Sequence, residues 1–372
     1  MDVIDQLGAM REGKLSRSAF NRSLLAMGIT TALVPLLPRK ALAAPEDQAT
    51  FFTWGGYNTP ELFEEYIAKH GEEPRYATYG SAEEAMNKLR SGFVPDVVHP
   101  CISDVPRWSG TGMFQPIDTS RLSNWPSMLP ELWNRDYNVV GDEVWLAPFN
   151  WGQTSIAYRT DLFELQGEES WDMLWDERYS GRIGMLAGGG DAWWCAAIKA
   201  GVPFEQLDTD EAFEKISAVL RAQRPLVRVY TDDTTQTDTA LAAGELVATM
   251  AWNSTVVWLA EAGNPVKFAQ PKEGALTYVC GMMLLADAPK LDRAYDIIDS
   301  LISKSASVVN IGWGYGGVHR NSFDDFTDEQ LAARTLSRNP AEIINAGHFG
   351  VPQTAEWEQR MTATWEQIKL GF

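Results

Sequence analysis

The sequence predicts an α/β protein of two lobes, and three observations predict it. The chain has 372 residues, too many for one ordinary core. Residues 50–98 alternate strand, helix, strand, helix, strand, which argues for a parallel sheet whose functional edge is the rim at the strand ends. A second strand–helix array closes at Trp252, beyond a long extended segment able to carry the chain from one lobe to the other. With 45% apolar and 22% charged residues the composition is that of a globular protein. No run of about 20 apolar residues, the length that spans a bilayer, occurs after the leader.

Residues 1–43 read as an export signal. Lys14, Arg17 and Arg22 precede an apolar stretch at 24–37, and Ala41-Leu42-Ala43 offers small residues for cleavage after Ala43 or Ala44. Pro35 and Pro38 would break a retained helix. Ser16-Arg17-Ser18-Ala19-Phe20 looks like a twin-arginine motif in which Ser18 replaces the second arginine, so a periplasmic location is expected by either export route. The leader holds six basic and three acidic residues, so of the net charge of −19 the body carries −22. Such a body repels nucleic acid and anionic membrane surfaces, and its charge either concentrates a cationic solute or serves solubility alone. Cys101, Cys195 and Cys280 form no CxxC pair and allow at most one disulfide.

The elements follow in order. The first strand, 50–54, ends in Trp54-Gly55-Gly56-Tyr57, where two glycines permit a sharp turn into a helix at 60–70 with Pro in its first turn. A strand at 74–79, a helix at 81–90 capped by Ser81, and a strand at 96–98 complete the first array. Residues 144–159 form the extended crossing segment. A short helical turn at 171–175, a strand at 182–186 and helices at 191–200 and 211–222 follow, the last with Phe213, Ile216, Val219 and Leu220 on its apolar side. The strand at 246–250 runs through Trp252 into a helix at 255–262, for which Asn253 or Ser254 is the expected cap and Gly263 with Pro265 the stop. A strand at 278–285 returns to the first lobe, and helices at 291–302 and 353–370 end the chain.

Several chemistries have no motif here. His70, His99, His319 and His348 lie at no metal-ligand spacing, and HExxH, GxSxG and GxxxxGKS/T are missing, so no catalytic residue, metal or cofactor is expected. Gly312-Trp313-Gly314-Tyr315-Gly316-Gly317 satisfies GxGxxG, but a helix precedes it and none follows. It reads instead either as a flexible turn or as a glycine-hinged loop that presents Trp313 and Tyr315 to a cleft.

With aromatics at Trp54, Tyr57, Trp252 and Trp313, the segments 54–57, 148–157, 170–181, 244–274 and 311–313 resemble, in order and spacing, the periplasmic spermidine/putrescine-binding proteins of ABC importers. The resemblance runs from about Phe51 to Gly371. It implies an α/β, two-lobed periplasmic binding protein (type II) fold with discontinuous lobes and crossing hinge strands. Residues 48–148 plus 279–322 would form lobe 1, and 149–278 plus 323–372 lobe 2. It also implies a monomer that closes on a small amine-containing solute and delivers it to a membrane ABC permease. Matching positions place aromatic contacts at Trp54, Tyr57, Trp252, Tyr278 and Trp313 or Tyr315, a hydroxyl contact at Thr234 and an amine-anchoring carboxylate at Asp191. Where polyamine binders carry further acids this chain has Gly56, Gly188 and Cys280, with Asp232 and Asp233 the nearest substitutes. Cys101 and Cys280 fall on cleft positions, where small apolar wall residues are the first expectation and a disulfide or a reactive thiol the second. Other readings are a mono-amine, quaternary ammonium or zwitterion in the same receptor, an exported glycoside hydrolase using Asp191 with Asp232 or Asp233, and a ferric-ion receptor using Tyr57, Tyr278 and Tyr315.

Overall fold

The computed structural model describes residues 47–136 and 138–372; the export signal expected over 1–43 lies outside them. Thr50–Trp54 (β1) is a run of aromatic and β-branched residues, with Phe51 and Phe52 fully buried. It lies between two parallel neighbours, Arg75–Tyr79 (β2) and Val97–Val98 (β3), in registers that pair Trp54 with Tyr79 and Phe51 with Val97. The connecting helices are Glu64–His70, which ends on Gly71 at φ 74°, and Ala82–Arg90, whose cap Ser81 accepts from Glu84 N. This is the parallel unit that the sequence predicts.

Phe114–Gln115 (β4) and the hairpin Val139–Val140 (β5) with Glu143–Val144 (β6) lead into Ala147–Arg159 (β7), a 13-residue strand that is buried almost throughout. The second array is Ile183–Met185 (β8), Val227–Tyr230 (β9) and Ala248–Trp252 (β10), with β8 parallel to both others. Helices Gly189–Ala200, Asp210–Gln223 and Thr234–Ala242 connect these strands. Val266–Phe268 (β11) pairs with β7, and Leu276–Leu285 (β12) then runs antiparallel to β7 from Leu276↔Thr154 to Met282↔Ala147 before reaching β3 at Leu284↔Val97. His348–Phe349 (β13) joins the Leu276 end of β12. The sheet order β2-β1-β3-β12-β7-β10-β8-β9 therefore places a parallel array at each end, with the antiparallel pair β7/β12 crossing between them.

Two large apolar clusters divide along this line. Phe51, Phe63, Trp108, Phe149 and Trp151 belong to one; Ile156, Trp171, Trp193, Phe213 and Trp365 belong to the other. β7 feeds both, which is what a strand crossing between lobes must do. The closing helix Ala355–Leu370 enters the second cluster through Trp357, Met361 and Trp365, whereas Phe323, Leu331, Leu336 and Ile344 pack in the first. No helix among the described residues is long and apolar enough to cross a membrane.

One expectation is overturned. Cys101 and Cys280 are not apolar wall residues but a disulfide, bridging 179 residues between the loop after β3 and the middle of β12. Their backbones already meet in an isolated antiparallel bridge, next to a hydrogen bond from Gly281 N to Pro100 O of 2.9 Å, so pairing brings the sulfurs together. Cys195 is the free, buried thiol.

Candidate ligand-binding site

Trp252 ends β10 at the rim, as predicted, and the helix Ser254–Glu261 starts two residues on. Asn253, however, does not cap that helix with its side chain. Its Oδ1 accepts from Gln153 N at 3.2 Å and its Nδ2 donates to Gly314 O, so the buried carboxamide fastens β7 to the 312–317 loop. The loop lies along β7: Trp151 and Gly316 exchange backbone hydrogen bonds of 3.2 and 2.6 Å, and Trp151 Nε1 donates to Gly317 O at 2.9 Å. A Cβ at Gly316 would overlap the Trp151 indole, and Gly314 has φ 92°. The glycines thus serve close approach and a left-handed turn, and the turn brings Trp313 and Tyr315 beside Tyr57.

The Tyr57 ring is 6.2 Å from Trp313, 6.3 Å from Tyr315 and 4.9 Å from His99, centroid to centroid. Asn150 Nδ2 donates to Tyr57 Oη at 2.6 Å, and Tyr315 bonds to Tyr57 and Ser254 through their hydroxyls. Burial raises the phenols of Tyr57, Tyr278 and Tyr315, so all three stay neutral at physiological pH. Burial also lowers His99 to about 3, which leaves that imidazole uncharged. The cluster is aromatic, polar and free of positive charge.

Asp191 lies in the first turn of Gly189–Ala200, where an acid also suits the helix dipole. Burial pushes its carboxyl up to about 6; the Thr154 hydroxyl, donating at 3.0 Å, and the Trp252 indole N–H oppose that rise, while the Asp232 charge adds to it. Asp191, Thr154, Trp194, Thr277, Tyr278 and Cys101 border one cavity of about 30 Å³. That volume suits one or two waters rather than an organic solute. Around it Asn150 Oδ1, Gln153 Oε1, Tyr278 Oη, Thr277 Oγ1 and Trp194 Nε1 are buried without a hydrogen-bond partner. Buried polar atoms are nearly always paired, so this concentration of unpaired ones marks a place built for a polar guest.

Of the residues singled out from sequence, Tyr57, Trp313 and Tyr315 come together, and Asp191 meets Trp252 and lies near Tyr278. Trp54 packs on Tyr79 at 4.6 Å with its indole nitrogen unpaired, and no hydrogen bond or ring contact joins Thr234 to the cluster. Asp232 and Asp233 are committed to backbone. Asp232 accepts from Ala187 and Gly188 N at 2.9 and 3.2 Å, and Asp233 caps Thr234–Ala242. Asn150, Gln153, Thr154 and Trp194 escaped sequence reasoning, and Asn253 was expected only as a helix cap. The available signal was the polar set Asn150, Gln153, Thr154 and Ser155 inside a strand that is otherwise mostly apolar.

The profile described as bacterial extracellular solute-binding protein matches residues 61–333. A spermidine/putrescine-binding periplasmic protein of Salmonella typhimurium is 26% identical over 294 residues, covering 78% of this chain and 80% of that one. A putrescine/agmatine-binding protein of Pseudomonas aeruginosa is 25% identical, covering 93% and 98%. Among solved structures, a putative spermidine/putrescine ABC transporter protein from Listeria monocytogenes superposes with a TM-score of 0.76 at 18% identity, over 87% of this chain and 99% of that one. The two parallel arrays, the crossing strands and this match together place the chain among the bacterial extracellular solute-binding proteins, with the two-lobed α/β fold of type II periplasmic binding proteins.

Proposed function

We propose that the protein is a periplasmic receptor that captures a small amine-bearing solute of the polyamine type between its lobes and delivers it to an ABC permease. The observation that carries the reading is Asp191: a buried carboxyl with no cation partner, set beside Trp252 and Tyr278 and amid unpaired amide and hydroxyl oxygens. An ammonium entering there completes an ion pair and gives those oxygens a donor. Each ring face that the cation meets adds roughly 0.5 to 2 kcal/mol. The relatives named for putrescine and spermidine support the same solute class.

Because the cavity is too small for such a solute, the lobes part to admit it and close over it; contacts made from both sides exist only in the closed form, which the permease reads. Tyr57, Trp313 and Tyr315 form the wall from lobe 1. Asp191, Trp252 and Tyr278 form the floor, and Trp54 and Thr234 lie at the margin. Lobe 1 comprises about 48–148 with 279–346, following the packing of Phe323 to Ile344, and lobe 2 comprises the remainder. The protein works as a monomer and leaves the solute chemically unchanged.

A thermal-shift and calorimetric titration of the leaderless protein with putrescine, spermidine, glycine betaine and amino acids tests this. A ligand that binds only the native state raises the melting temperature by mass action. Putrescine or spermidine should raise it, and Asp191→Ala should abolish the rise. A response to betaine or amino acids alone would defeat the polyamine reading.

A further inference from the structure

A second isolated carboxyl lies beyond the ring cluster. Asp238 is one turn into the helix Thr234–Ala242, and its Oδ1 is buried with no hydrogen-bond partner. It enters no ion pair among the described residues. Nor does it cap the neighbouring helix Ser254–Glu261, whose first amides receive no side-chain cap. Its contact is the hydroxyl of Thr255, next to Ser254, the residue that bonds Tyr315. The Asp238 charge acts on Tyr315 just as the Asp191 charge acts on Tyr278, and Tyr315 in turn acts on Tyr278. Burial raises the Asp238 carboxyl to about 7, opposed by Thr255 and reinforced by Asp233. A carboxylate withdrawn from water is costly unless a cation pairs with it, and among the described residues Asp238 has only the Thr255 hydroxyl.

Resting on the receptor reading above, we propose that Asp238 is the second amine anchor: a linear diamine lies across Tyr278 and Tyr315, with one ammonium on Asp191 and the other held by Asp238 and Thr255. The site then selects dications although Gly56, Gly188 and Cys280 supply no acid, and it does so from a helix with scarcely any apolar face. Asp238 acts as a specificity residue, separate from the anchor at Asp191.

Calorimetry of the leaderless protein with putrescine and with butylamine, which keeps one amine of the pair, tests this. Asp238→Asn should weaken putrescine about ten- to a hundredfold, the loss of one charged hydrogen bond, and leave butylamine unchanged. Asp191→Asn should weaken both. Equal putrescine affinity in the wild type and Asp238→Asn, or equal losses for both amines, overturns the assignment while sparing the receptor reading. A wild type that binds neither amine overturns both. Should Asp238→Asn fail to fold, proton release is read in the wild type at pH 6.5, in buffers of different ionisation enthalpy. The titratable neighbours of Asp238 are Asp233 and Tyr315. Putrescine should expel more protons than butylamine, and equal release would refute the second anchor.

Discussion

Arg107 and Glu358 form an ion pair between the two cores. Nη1 donates to Glu358 Oε2 at 2.9 Å, while Nη2 of the same guanidinium donates to Asp104 Oδ1 at 2.7 Å. Arg107 belongs to the helix Val105–Ser109, set in the first cluster by Val105 and Trp108; Glu358 belongs to Ala355–Leu370, set in the second by Trp357 and Met361. In the proposed function the lobes part to admit solute; that motion would pull these helices apart, and the pair is then expected to act as a latch on the closed form.

Arg107→Ala should therefore shift the unliganded protein toward the open form. The three side chains are each about a third exposed or less, and a pair of this kind contributes at most about 1 kcal/mol. Solution scattering should give a larger radius of gyration for the unliganded variant, and putrescine affinity should fall up to about fivefold. No change in either measurement would show that the latch holds nothing.

Asp191 predicts a pH dependence with a definite sign. Its folded carboxyl titrates at about 6, against about 3.9 in an unfolded chain. Because the folded value is the higher one, its contribution to the stability of the unliganded protein is fully present below about pH 4 and is lost as pH rises through 6. A bound ammonium favours the carboxylate, so putrescine binding should expel a proton and weaken as pH drops below 6. In Asp191→Asn that slope should become shallower, the remainder belonging to Asp238. An unchanged slope in the variant would assign the titration to another group.

The lobes and the rim were legible because β1 and β10 are short apolar runs ending in Trp54 and Trp252, and a parallel array puts such ends on one edge. Asp191 was singled out only because the family resemblance places an amine-anchoring carboxylate there; the sequence by itself shows just an acid in a helix's first turn. Asn150, Gln153 and Thr154 were not, since a crossing strand buried on both faces reads as core, and its polar atoms gain meaning only when β10, β12 and the 312–317 loop pack on it. Asn253 was misread as a cap because local sequence cannot show that Gly314 approaches its carboxamide from 61 residues away. The Cys101–Cys280 pairing is equally non-local, and Asp238 sits in a threonine-rich helix that looks like plain surface.

The disulfide closes a loop of 179 residues, long enough that the entropy removed from the unfolded chain is large. The double variant Cys101→Ser with Cys280→Ser should lose about 2 to 4 kcal/mol, read as a lower denaturant midpoint. Reductant should lower the midpoint of the wild type but not that of the variant. Cys195 should remain unmodified by thiol reagents in the native protein, because it is buried and its thiol is raised well above the ordinary range. Native labelling of Cys195 would contradict that placement.

Gly152 stands opposite Tyr278 in the β7/β12 ladder. A Cβ there would overlap the Tyr278 hydroxyl and come 2.6 Å from Asn253 Oδ1. Both neighbours are held, Tyr278 by the strand and Asn253 by its bonds to Gln153 N and Gly314 O, so neither can yield without moving the floor of the cleft. Gly152→Ala should therefore cost about 1 to 3 kcal/mol, and putrescine affinity should fall with it because the displaced groups border Asp191. Gly312→Ala is the matched control. Nothing lies within 4 Å of its added methyl, and in the last turn of a helix alanine is the better residue, so stability should hold or rise. Equal losses at the two positions would mean that chain flexibility, and not close approach to Tyr278, accounts for glycine at 152.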